Sequence, residues 1–219
     1  MAQLCHTSAN MIARLSLLAI VLGAGGGLTA LLTVAKSPYN TQQNMPIDQP
    51  VPFSHKHHVK GLGIDCLHCH TSVEQSTFAG IPPTKTCMTC HSQIWTEAPM
   101  LEPVRESFRT NESIEWVRVH DLPDYVYFNH SIHVNKGIGC ATCHGQVDEM
   151  PLMMKANTLQ MSWCMDCHWH PEANLRPRSE ITSMTWAPPA DPEERLALAQ
   201  QLAEEYNVQS KVSCSVCHR

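Results

Sequence analysis

Ten of the eleven cysteines fall in five copies of one frame: CLHCH at 66–70, CMTCH at 87–91, CATCH at 140–144, CMDCH at 164–168 and CSVCH at 214–218. In such a frame two thiols three residues apart can add across the two vinyl groups of one haem. The imidazole that follows takes the iron from one side. A zinc site would use paired Cys-X-X-Cys with tetrahedral closure and does not require His directly after the second Cys. A thioredoxin-like dithiol occurs once, inside a βαβ pattern that is missing here. A disulfide framework does not place its cysteines at a uniform spacing of three, each pair followed by His. The frames therefore predict five covalently attached haem c groups. They are held by Cys66, Cys69, Cys87, Cys90, Cys140, Cys143, Cys164, Cys167, Cys214 and Cys217, with His70, His91, His144, His168 and His218 as proximal iron ligands.

A low-spin haem needs a second axial ligand. Nine histidines lie outside the proximal positions: 6, 55, 57, 58, 68, 120, 130, 133 and 170. His6 precedes an apolar run, and His68 sits inside a haem motif. The pairs His55/His58 and His130/His133 recur at the same spacing and are the expected distal ligands. Imidazoles at i and i+3 share a face of a helical turn, yet can reach two different haems. His55 and His58 are expected to cap haems attached elsewhere in the chain. His57 has no counterpart in the second copy, where Ile132 stands, and reads as a solvated neighbour. The candidates for the fifth distal ligand are His120, His170 and a methionine (Met150 first, then Met161 and Met154), with the methionine and His120 level. A five-coordinate haem is the remaining alternative. Most methionines simply fill cores; a thioether ligand would raise that haem's potential.

These residues need elements to hold them. Phe53, His55, His58 and Val59 match Phe128, His130, His133 and Val134 at a constant offset of 75, and a short Gly-containing turn and a haem motif follow in both. Self-similarity at a fixed period marks an internal repeat, here two dihaem modules, 53–95 and 128–170. The connector 96–127 contains Ile114-Glu115-Trp116-Val117-Arg118-Val119, a strand-like alternation. In 171–219, Asp191 and Pro192 open a helix with an apolar stripe of Leu196, Ala199, Leu202, Ala203 and Tyr206, and Asn207 is its terminator. The fifth motif follows.

Residues 11–35 form one long apolar run with no charge between Arg14 and Lys36. That is long enough to cross a bilayer, and it reads as an uncleaved signal-anchor rather than a cleaved signal peptide. Residues 1–10 are then a cytoplasmic N-terminus, with Cys5 a free thiol. Residues 36–52 are an extended linker. The haem domain is expected on the periplasmic, or extracytoplasmic, side of the membrane, because haem is joined to such motifs outside the cytoplasm. The formal charge of −5 argues against a nucleic-acid partner. Few aromatics and five porphyrins give the expected fold class: a multihaem cytochrome c, mainly irregular with short α-helices, a haem-packed core and one N-terminal transmembrane helix.

The duplicated F-X-H-X-X-H-V followed by Cys-X-X-Cys-His resembles the class III multihaem cytochromes c. FSHKHHVKGLGIDCLHCHTSVE, EWVRVHDLPDYVYFNHSIHV, GIGCATCHGQVDEM and MSWCMDCH are similar, more closely, to the pentahaem cytochrome c subunit of bacterial alternative complex III. That resemblance implies a quinol:electron-acceptor oxidoreductase whose other subunits include an iron–sulfur molybdopterin-like subunit, multispan quinol-binding subunits and a monohaem cytochrome c. It implies a periplasmic acceptor (a cytochrome c, a copper protein or a terminal oxidase) and haems that are mostly bis-His, with one His/Met haem. A basic residue usual after the motif is replaced in CHWH, so His170 is discounted. On this reading the chain relays electrons and has no catalytic residue of its own. The competing readings are a stand-alone membrane-anchored quinol dehydrogenase and a multihaem reductase. The first places its first motif nearer the anchor, and the second uses modified motifs.

Overall fold

The computed structural model describes residues 6–219; Cys5, expected to be a free thiol, lies outside them. The chain divides into a unit ending at Gln43 and a unit beginning at Asn44.

The first unit is one long helix, α1 (Ala9–Lys36), followed by the short α2 (Pro38–Thr41). At 1.5 Å per residue, α1 is about 42 Å long, more than a bilayer's hydrocarbon core needs. Its best window has a mean hydropathy of 2.1. Its two threonines are satisfied internally, with the Thr29 hydroxyl donating to Gly25 O and the Thr33 hydroxyl to Thr29 O, both at 2.8 Å. An apolar medium demands such internal pairing. One N-terminal helix of this kind can span a membrane or act as a signal sequence. The linker is not extended from its start: an extended Ser37 followed by Pro38 opens α2, and Gln42 closes it in the left-handed region at φ 56°.

The second unit is helical, with no strand among the described residues. Each haem motif begins a helix or lies within one. These helices are α3 (Cys66–Cys69), α4 (Thr84–His91), α7 (Cys140–His144), α8 (Met161–Trp169) and α10 (Cys214–Cys217); α5 (Glu102–Thr110) lies in the connector. One turn of helix brings residues i and i+3 to the same face, so both thiols and the following imidazole converge. The duplicated His pairs sit in different backbones. His55 caps a π-helical turn, Lys56–Gly61, whereas His130 begins the α-helix α6 (His130–Asn135), capped by Asn129. Gly137 adopts φ 84°, and a Cβ there would strike Tyr206 and the Arg176 carbonyl.

The alternating segment 114–119 is not a strand. Ile114 and Trp116 pack on the Val51, Leu101 and Val104 cluster, which accounts for the alternation. No partner strand runs beside it. Instead the Gln49 side-chain amide accepts from Val117 N at 3.0 Å and donates to Val117 O at 2.9 Å, standing in for one rung of a ladder.

The C-terminal helix α9 (Pro192–Glu205) forms as its sequence predicts, with the Asp191 carboxylate accepting from Glu193 N and Glu194 N at 2.9 Å. Leu202 and Tyr206 are buried with Ile138 and Leu175, and Leu198 and Ala203 flank them. Leu196 belongs to the exposed face instead, one helical step outside the stripe. Asn207 ends the helix at φ 48°.

Side-chain packing is thin. Three small clusters form, each touching a motif cysteine: Cys143 in the first, Cys87 in the second, and Cys140 in a third built on Val73, Val134 and Ile181. No large side chain among the described residues is wholly shut off from solvent. Apolar burial of this extent is far less than a domain of this size uses to offset chain entropy.

Candidate haem-binding centres

Three pairs of imidazoles face one another. His58 and His91 have ring centres 6.3 Å apart, His133 and His168 6.1 Å, and His130 and His144 6.3 Å. A metal–imidazole bond of about 2.0 Å puts the ring centres of two imidazoles on opposite sides of one metal about 6.3 Å apart. Each pair therefore has the spacing of two axial ligands on one iron. The pairs join the second, third and fourth motifs to a duplicated histidine of the same module. His55 lies near His70 of the first motif, and its pKa is pushed down to about 4 by burial, and next by His70. Of the two histidines expected to cap haems attached elsewhere in the chain, His58 faces His91 of the second motif, whereas His55 lies near His70 of the motif that follows it.

The second ring nitrogen supports the same set. An iron-bound imidazole that uses Nε2 must carry its proton on Nδ1 and needs an acceptor there. The Nδ1 atoms of His58, His70 and His91 lie 2.9, 2.7 and 3.3 Å from the carbonyl oxygens of Ser54, Gly80 and Ile94. Those of His130, His133, His168 and His218 lie 2.9, 2.7, 2.8 and 3.1 Å from the carbonyls of Thr77, Asn129, Lys211 and Tyr125. His55 differs: its Nδ1 is buried with no hydrogen-bond partner. His57 and His170 are exposed, and His170 Nδ1 stands 3.8 Å from Glu172. His68 is also exposed.

The repeated phenylalanine has a structural role that the sequence left unassigned. Phe53 stacks on His58 at 4.3 Å and stands edge-on to His55; Phe128 stacks on His133 at 4.5 Å and stands edge-on to His130. One ring thus sets the directions of both imidazoles in each module.

The fifth motif is surrounded differently. Beside His218 are the Tyr125 ring at 5.8 Å, a bridge from Val126, and Tyr127, whose N–H donates to Cys217 O at 2.8 Å. Both leading candidates for the fifth distal ligand lie at the third motif. Met150 is buried, with its methyl beside Gly145, and His120 Nε2 is 3.2 Å from His144 Nδ1. That contact occupies the nitrogen His120 would use as a distal ligand. Met161 is exposed. Burial pushes the His144 pKa down to about 3, helped by His120 and His130. Burial, followed by Lys155, takes His120 to about 4.

The motifs also lie in a row. The His55/His58 turn touches the first and second. Cys66 and Cys140 are within hydrogen-bonding reach, so the first meets the third, and 181–182 clamps both: Thr182 donates to Asp65 at 2.7 Å and Cys140 N to Ile181 O at 3.0 Å. Helix α6 joins third to fourth through His130 and His133. Ser210 donates to His168 O at 2.7 Å and Lys211 O meets His168 Nδ1, tying fourth to fifth. The order is second, first, third, fourth, fifth. Of the ten motif cysteines, Cys90 and Cys214 are the exposed ones, one at each end of the row.

No three His, Cys, Asp or Glu side chains among the described residues converge as a zinc site would need. Residues 126–219, which hold the third to fifth motifs, match the family described as Cytochrome c7 and related cytochrome c. Over 98 residues the chain is 37% identical to the menaquinone reductase, multiheme cytochrome c subunit, of Nitratidesulfovibrio vulgaris; the alignment covers 44% of this chain and 46% of the relative. The chain thus matches about half the length of that relative. The fold class is that of the multihaem cytochromes c, in which haem with its iron is bound covalently.

Proposed function

We propose that the chain carries five haem c groups and relays electrons between a membrane quinone pool and an extracytoplasmic partner, as the pentahaem subunit of an alternative complex III. The observation that carries the reading is the set of three facing imidazole pairs at 6.1–6.3 Å, on motifs that lie in a row. Bound haem supplies one-electron chemistry over a wide range of potentials. The polypeptide supplies attachment by the ten cysteines, axial ligation by His70, His91, His144, His168 and His218 and by His55, His58, His130 and His133, and close spacing. The exposed Cys90 and Cys214 ends are where partners exchange electrons with it. The sixth ligand of the fifth haem lies beyond the duplicated pairs; Met150 remains the candidate thioether, but it sits by the third motif rather than by His218.

In this reading α1 anchors the subunit in the inner membrane with the haem domain on the periplasmic side. Its partners are an iron–sulfur molybdopterin-like subunit, multispan quinol-binding subunits and a monohaem cytochrome c. The domain divisions 53–95, 96–127, 128–170 and 171–219 follow the repeat.

A second direction of flow is favoured by the relative's name: electrons from an extracytoplasmic donor would pass through the row toward menaquinone. Isolation from membranes in mild detergent tests both. The proposal expects co-purifying subunits and quinol-dependent reduction of the haems by the complex, not by this subunit alone. Recovery of the lone chain, oxidising quinol unaided, contradicts it. Haem reduction by a soluble donor, followed by menaquinone reduction and without quinol oxidation, selects the second direction.

A further inference from the structure

His144 stands apart from the other ligand histidines in the partner of its second nitrogen. Seven of them direct Nδ1 at a backbone carbonyl; His144 directs it at His120 Nε2, 3.2 Å away, with the rings at 66° and centres 4.3 Å apart. The direction of that hydrogen bond follows from the ligation proposed above, on which this inference rests. With His144 Nε2 on iron, Nδ1 carries the proton and donates, and His120 Nε2 accepts with its lone pair.

We propose that His120 is a positioning residue for the third haem centre: it fixes the His144 imidazole and makes it a stronger electron donor to the iron than its counterparts in the chain. An imidazole nitrogen is a more basic acceptor than an amide carbonyl, so it draws the Nδ1 proton further and gives His144 more imidazolate character. A more basic axial ligand stabilises the ferric state and lowers that haem's potential. His120 comes from the connector, outside both modules, which explains why the repeat has no equivalent at the first motif. Its surroundings hold it in place, because Val119 beside it is buried.

The test uses the haem-loaded full chain with His120→Phe, which removes the acceptor, and His120→Gln, which keeps a weaker one. Each is followed by potentiometric titration with electron paramagnetic resonance. Wild-type haem count and low-spin spectra check the ligation reading first and separately. The expected result for Phe is one haem of five shifting to higher potential, with one low-spin signal altered and no high-spin haem formed. For Gln, the same signal moves less. Unchanged potentials and spectra in His120→Phe overturn the proposal. So does a new high-spin, carbon-monoxide-binding haem, which would make His120 a ligand. If the Phe variant does not load, the Gln variant decides alone: a smaller upward shift of one haem supports the proposal, and no shift overturns it.

Discussion

The rings of His130 and His144 are parallel to within 8°, whereas the rings of His58 and His91, and of His133 and His168, cross at 62°. Three pairs of one spacing thus have two geometries, and both crossed pairs involve the second histidine of the repeat. The reason is local. His58 and His133 are each stacked on a phenylalanine and tied by Nδ1 to the carbonyl four residues back, so the two copies present them alike.

Ring planes decide how axial imidazoles split the iron d orbitals. Crossed planes leave two of them nearly degenerate, and parallel planes separate them. The oxidised protein should therefore show two low-spin signals with strongly anisotropic g values from the second and fourth haems, and a rhombic one from the third. Substituting His133→Ala should remove one strongly anisotropic signal and spare the rhombic one. Loss of the rhombic signal instead would contradict the pairing.

Removing a distal imidazole should not remove a haem, because the thioethers hold it. His58→Ala is expected to leave the covalent haem content unchanged by intact mass while turning one haem in five high-spin and raising its potential. His57→Ala, one residue away and exposed, should change neither. If His57→Ala gave the high-spin haem, the assignment of the pair at 6.3 Å would be wrong.

Acid should destabilise the fold. His120, which lies off the proposed iron positions, has a pKa pushed down from 6.5 to about 4, chiefly by burial. Its unfolded counterpart takes up a proton near 6.5, so this stability is fully present above that pH and is lost as pH falls toward the folded value. It contributes up to about 1.4 kcal/mol per pH unit in that window. Guanidinium unfolding at pH 7.5 and pH 5 should show a lower midpoint at pH 5; equal midpoints would contradict the burial of this neutral ring.

The apolar helix makes its own prediction. The full chain should remain in membranes after a salt wash, and a chain starting at residue 44 behind a cleavable export signal should be released as a soluble haem protein. An N-terminus of the mature protein beginning after Lys36 would show that Ala9–Lys36 serves as a signal sequence instead.

Much of the site was legible because covalent haem chemistry fixes residue types at fixed spacing, and duplication repeats the message. The motifs, the His55/His58 and His130/His133 pairs and the Asp191 cap all depend on near neighbours in sequence. What failed depends on distant contacts. The alternation at 114–119 arises from packing on Val51 and Val104, with Gln49 serving in place of a strand. Sequence spacing alone does not reveal that His120 is aimed at His144, because 24 residues separate them. The repeat also gave no sign that its first copy is a π-helical turn and its second an α-helix.

The central claim is five haems on one chain, all able to exchange electrons. Coulometric reduction of the purified, fully oxidised full chain, with protein quantified by amino-acid analysis, tests it most directly. The account predicts five electrons taken up per chain, with every equivalent appearing in the haem absorption bands. Four or fewer, or uptake by groups outside those bands, would contradict it.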